Sequence, residues 1–211
     1  MKKLANGTLF SVPLPDGTFL CGRVMLDVYG CLKKRLFTHD SPLPGLGKAY
    51  LIEMYSAILQ KAEYVASEVL IPGAFVESDE VGESWPIIGN RPVDPHEVQF
   101  PESILGYMHA DGAIAFECGE LRIPLPLAYE SADKIGEFKR RHSAFLWPYT
   151  CLRVLGRESE VPTDYKMASL TGGDFRYSPY REEVYKHLPF AMEQTYFQKQ
   201  AQLGLHLERL Y

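Results

Sequence analysis

No stretch of this chain of 211 residues approaches the roughly 20 apolar residues that a membrane-spanning helix needs. Met1-Lys2-Lys3 begins like a signal peptide, but Asn6, Gly7, Pro13 and Asp16 interrupt the apolar run that would have to follow. Cysteine is scarce: Cys21, Cys31, Cys118 and Cys151 contain no C-x-x-C pair, and their spacing suggests neither a zinc site nor a disulfide framework. They read as reduced thiols in a cytoplasmic protein. Signature catalytic motifs are missing as well. There is no G-x-S-x-G, H-E-x-x-H or G-x-G-x-x-G, and no paired Cys/His metal pattern. Nothing calls for a cofactor. Basic charge is in deficit, with a net charge of −5, which speaks against a general nucleic-acid binder and leaves a basic protein partner open. There is no internal repeat and no low-complexity segment.

What the chain does have begins at residues 7–24. Phe10, Val12 and Leu14 alternate up to Pro15-Asp16-Gly17, and Leu20, Gly22 and Val24 alternate after it, the pattern of a β-hairpin. Pro15 presets a turn φ, Asp16 can bond its own backbone, and Gly17 can take a positive φ. A three-residue loop that pairs 14 with 18 and 12 with 20 puts every alternating apolar residue on one face; a one-residue slip would not. Pro13, on the other face and without an N–H, fits an edge strand or a bulge. A chain of this length buries roughly 70% of its unfolded surface without staples.

Further along, residues 24–29 extend the second strand until Gly30 ends it, and Lys33-Lys34-Arg35 forms a solvated basic turn or charge-guarded edge. Residues 41–47 are loop by composition, 49–56 read as a strand, and the apolar runs 69–71 and 74–76 flank Pro72-Gly73. Residues 87–90 make a short strand ending in a turn, and 93–101 is proline-broken and irregular. Residues 113–118 and 121–125 flank Gly119-Glu120 as a second hairpin. Ser131 caps a helix that ends in Lys139-Arg140-Arg141. Residues 149–155 read as one more strand. Ser178-Pro179 opens a helix carrying Glu182 and Glu183, and a last helix around Tyr196, Gln200 and Leu203 stops at Gly204. The apolar tail from Leu205 to Tyr211 is expected to dock.

Three features could carry chemistry. His109 and Asp111 place an imidazole near a carboxylate, a pairing more often structural than catalytic. Lys139-Arg140-Arg141-His142 suits a helix C-terminus without any ligand. The acidic run Glu77, Asp79, Glu80 and Glu83 beside Trp85 could steer a basic partner and anchor it on an aromatic ring; its bland reading is a solvated loop with Trp85 in the core. Thr171-Gly172-Gly173-Asp174 lacks the Lys-Ser/Thr of a phosphate loop and reads as a turn.

Three blocks together resemble the bacterial immunity protein 26 family: Gly7 to Gly17 with Gly22-Arg23-Val24, Trp85 to Pro92, and the tail blocks Tyr177 to Tyr185 and Gln194 to Tyr211. The resemblance implies a mostly β core and a protein that binds and neutralises a co-encoded toxin of a polymorphic toxin system. It supplies no catalytic set and does not place the toxin-contacting residues.

The resulting expectation is one compact α+β domain over 1–211. Residues 1 to about 125 form a strongly bent antiparallel sheet or SH3-like barrel, and a helix-richer part from about 126 packs on it. Function is expected to be toxin neutralisation by occlusion, without catalysis, cofactor or metal, with Glu77, Asp79, Glu80, Glu83 and Trp85 facing the partner. A small nucleic-acid-associated SH3-like module, or a hydrolase using His109 and Asp111, stand as alternatives.

Overall fold

The structure is a computed structural model that describes residues 4–77, 85–105, 114–127, 142–171 and 173–211. The opening hairpin forms as the alternation dictates. Strands β1 (Thr8–Pro13) and β2 (Phe19–Asp27) pair antiparallel with Val12 opposite Leu20. Leu14 donates its N–H to the Thr18 carbonyl at 2.8 Å, Asp16 Oδ1 accepts from the Thr18 N–H, and Gly17 takes φ +83°. β3 (Ala49–Leu59), β4 (Val69–Glu77) and β5 (Ile87–Asn90) complete an antiparallel sheet in the order β4-β3-β2-β1-β5. Register shifts interrupt the β1–β5, β2–β3 and β3–β4 ladders, and such bulges bend strands and increase their twist. Pro13 sits beyond the residues of β1 that β5 covers, so its missing N–H leaves no ladder bond unmade.

A second, three-stranded antiparallel sheet has the order β6-β7-β8, from β6 (Glu102–Leu105), β7 (Ala115–Cys118) and β8 (Leu121–Pro124). The hairpin β7–β8 turns at Gly119-Glu120 as its sequence suggests, whereas β6 carries no alternation long enough to announce it. The barrel branch of the expectation is not realised. The first sheet is open, with β4 and β5 at opposite edges, and among the described residues the second sheet remains separate from it.

Two segments read as strand are helices. α1 (Val28–Lys33) follows β2 directly, because Asp27 turns its carboxylate onto the Gly30 N–H at 2.8 Å and caps the first turn; Gly30 lies inside this helix and does not end a strand. α2 (Trp147–Val154) replaces the strand expected at 149–155. Pro148 occupies its first turn, where an N–H has no helical partner to lose. Its buried residues Trp147, Thr150 and Cys151 follow helical spacing, which the β-branched and aromatic content of 149–155 obscures. α3 (Arg181–Tyr185) starts later than Ser178-Pro179. α4 (Tyr196–Gln202) has Thr195 and Gln198 in a capping box and stops before Gly204, as its sequence suggests. The helix expected to begin at Ser131 lies outside the described residues.

The pleat divides the core. One face of the first sheet presents Phe10, Val12, Leu20, Val24, Ile52 and Met54 to α2, where Trp147, Cys151 and Leu152 are fully buried. On the other face Met25, Leu51 and Phe75 meet Phe100, Phe116 and Leu121 of the second sheet, together with Tyr185, Tyr196, Leu207 and Leu210 from the C-terminal part. The tail is therefore docked. Gly22 lies between two large side chains: a Cβ there would come within 2.5 Å of the Phe10 ring and 2.6 Å of the Met54 sulfur. Gly22→Ala is expected to cost about 1–3 kcal/mol through overpacking. Urea unfolding checks this, and Phe10→Leu in the same chain should recover part of the loss.

Candidate functional site

Three places gather polar or exposed aromatic side chains. On the sheet face opposite α2, Arg23 of β2 stands across from Glu53 of β3 and is 1% exposed. Its Nε donates to Glu53 Oε1 at 2.9 Å, Nη1 to the Pro92 carbonyl at 3.1 Å and Nη2 to Glu97 Oε2 at 2.8 Å, tying the irregular stretch 92–97 to the sheet. The Tyr55 hydroxyl donates to the same Glu53 oxygen. Burial works against the Arg23 charge, but bonds to Glu97 and the Glu53 charge reverse that and raise its pKa; burial pushes the Tyr55 phenol up. This network answers its own charges and holds the fold.

Around the second sheet the pairs are Glu102 with Arg181, Asp174 with Arg176, and Glu120 with Arg209. Each joins residues in or beside that sheet to the C-terminal region or fixes a turn within it. Sequence reasoning missed all of them: Glu102–Arg181 and Glu120–Arg209 join positions 79 and 89 residues apart, which leaves no local pattern, and Asp174 was read only as part of a turn.

The third place is a surface groove of about 520 Å³ between the hairpin tip at Pro13 to Pro15, Trp85, Ala144 and Phe145 just before α2, and Pro148 and Tyr149 in its first turn. Tyr149 stacks on Tyr165 with ring centroids 4.3 Å apart, and Phe145 meets Tyr165 edge-on at 5.6 Å. Phe145 is 60% exposed and Met167, two residues beyond Tyr165, is 69% exposed. Exposed apolar side chains gathered in this way mark contact surfaces more often than scattered ones do. Arg157, just beyond α2, bonds both Asp16 of the hairpin tip and Glu160. The bond from Thr18 and those from Arg157 hold the Asp16 carboxyl well below the usual carboxylate range.

Glu77 and Trp85, the described residues that bracket the acidic run, both lie against segment 142–145. The Glu77 N–H donates to the His142 carbonyl at 3.0 Å, and Trp85 lines the groove with Ala144 and Phe145. Trp85 is only 3% exposed and stacks on Phe10 at 5.1 Å, so most of its ring is spent on the core. The exposed aromatic beside it is Phe145, which sequence reasoning did not single out. Asp79, Glu80 and Glu83 lie outside the described residues, as do His109, Asp111 and Lys139 to Arg141.

As for reactivity, burial and the Glu53 charge push the Cys21 thiol up to about 12, and burial raises Cys118 and Cys151 as well. A thiol shifted in that direction is a poor nucleophile. All four cysteines are buried and unbridged. Among the described residues no group of three or more His, Cys, Asp or Glu side chains is placed to hold a metal ion, and no helix is long and apolar enough to cross a membrane.

Comparison with known proteins gives one match: residues 5–106 match the family model described as Immunity protein 26. The match runs from just before β1 to the end of β6, and leaves α2 to α4 outside it. No curated protein and no solved structure matches the chain.

Proposed function

We propose, from the premise that residues 5–106 belong to the immunity protein 26 family, that this chain binds a co-encoded bacterial toxin and neutralises it by occlusion, without catalysis, in the cytoplasm. The family match is the observation that carries the reading. An exposed aromatic groove lined by Trp85, which follows the acidic run in sequence, supports the mode: apolar side chains supply buried contact area, and clustered carboxylates accelerate encounter with a basic surface. Glu77, Asp79, Glu80 and Glu83 act on the approach, and Trp85 supports the groove from beneath while Phe145 faces the partner. The toxin's contact surface is accordingly basic with an apolar centre.

Kinetics test this directly. Reversing Glu77, Asp79, Glu80 and Glu83 to lysine is expected to slow association by at least about tenfold at low salt and to flatten its salt dependence, leaving dissociation nearly unchanged. Unchanged association would remove the acidic run from the interface.

A further inference from the structure

Arg176, Arg181 of α3 and Lys199 of α4 converge on one cavity of about 260 Å³, whose wall also includes Glu102 of β6. Arg181 spends its fork on Glu102, with Nε and Nη2 each 2.8 Å from a carboxylate oxygen, and also approaches the Tyr185 hydroxyl. Arg176 spends Nε and Nη2 on Asp174 and the Gly73 carbonyl. The Nη1 amino group of each arginine makes no hydrogen bond among the described residues, and neither is sealed from solvent. Lys199 is 4% exposed. Its Nζ donates to the Tyr185 oxygen at 2.7 Å and stands 3.5 Å from Glu102 Oε1, an oxygen that Arg181 and Tyr185 already use.

The charges at this cavity are therefore three cations, the half-buried Arg176 and Arg181 and the buried Lys199, against two buried carboxylates, Glu102 on the wall and Asp174 behind Arg176, with Glu193 exposed on the cavity wall. The rings of Tyr185 and Phe190 lie under Lys199 and offset part of the excess. They supply no hydrogen-bond acceptor for the open N–H groups. We infer that this cavity is a binding site for a small oxyanion, a carboxylate or a phosphate, held by the Nη1 groups of Arg176 and Arg181 and by Lys199. Guanidinium N–H groups and a buried ammonium are the donors that such anions select, and the space admits a small acid rather than a lone water. Apart from Pro72, Gln99, Phe100 and Glu102, the cavity wall lies outside the residues matched to the family.

The test follows thermal unfolding of the full chain in sodium phosphate and in sodium acetate, each against sodium chloride at equal ionic strength. A saturable rise in midpoint with either anion is expected, phosphate alone pointing to a phosphate ester and acetate alone to a carboxylic acid. Lys199→Met should weaken the apparent affinity about tenfold or more. If that variant does not fold, the Lys199 ε-methylene resonance of the unaltered chain should shift along the same titration. No response beyond chloride, equal affinity in the folded Lys199→Met variant, or an unmoved Lys199 resonance would each overturn the assignment.

Discussion

Replacing Glu102 with alanine is expected to destabilise this protein by about 3–5 kcal/mol, the usual cost of deleting one partner of a buried ion pair. Glu102 is 2% exposed and answers Arg181, Tyr185 and Lys199 together. Without it, the buried Lys199 ammonium and the half-buried Arg181 guanidinium face each other across the space it leaves. Against a total stability of typically 5–15 kcal/mol the loss is large, and a chain of this size should lose on the order of 10 °C in melting temperature. Glu102→Gln, which keeps the shape and one acceptor, should fall between. pH offers a second check. Burial would raise the Glu102 pKa, but hydrogen bonds from Arg181 and Tyr185, with the charges of Arg181 and Lys199, bring it below the ordinary 4.5. A depressed folded-state pKa means that the unfolded chain binds the proton first. The stabilisation is thus complete above about pH 4.5 and is lost as pH falls from there through the folded-state value. The stability difference between the parent and Glu102→Gln, measured by urea unfolding, should shrink over that same interval. We further propose that the whole chain unfolds in one transition, since one apolar cluster joins β2 and β3 to residues 175–210.

Trp147→Ala should cost a comparable 3–5 kcal/mol, for a different reason. Trp147 is fully buried at the start of α2, where it fills the space between the helix and the Phe10 face of the first sheet. Truncation leaves a cavity that the sheet, held by its ladders, cannot close. The indole Nε1 has no hydrogen-bond partner among the described residues. Trp147→Phe therefore removes an unanswered donor along with some volume and should cost far less than alanine. Phe145, two residues away and 60% exposed, supplies the contrast. Its replacement by alanine should change stability by no more than about 0.5 kcal/mol. If the groove is the contact surface, it should weaken partner binding clearly. Denaturation and binding on the two variants separate packing from recognition.

Much of this architecture is legible before any coordinates. The β1–β2 hairpin follows from an alternating run, a Pro-Asp-Gly break and the parity of a three-residue loop, and its register is the one the apolar pattern demands. The β7–β8 hairpin and the end of α4 at Gly204 rest on signals of the same local kind. The failures are local as well. Residues 149–155 are rich in strand-forming types, and only by including Trp147-Pro148 does the helical spacing of buried residues emerge. Val28 and Tyr29 continue an apolar run, yet Asp27 ends the strand by capping a helix. The candidate sites were less legible than the fold. Arg23, Glu53 and Glu102 sit on strands where local pattern gives no reason to bury a charge, and their partners are brought in by tertiary pairing alone. Phe145 is one aromatic among many until the structure leaves it exposed beside Trp85.

The most direct test of the central claim is affinity capture from lysate of the native cell with this chain as bait, followed by mass spectrometry of whatever elutes in near-equal amount and assay of that species for toxicity with and without the chain. The account predicts one stoichiometric partner with a toxic C-terminal domain whose activity is lost in the complex. A stoichiometric partner whose toxicity persists in the complex, or recovery of nucleic acid in place of a protein, would contradict it.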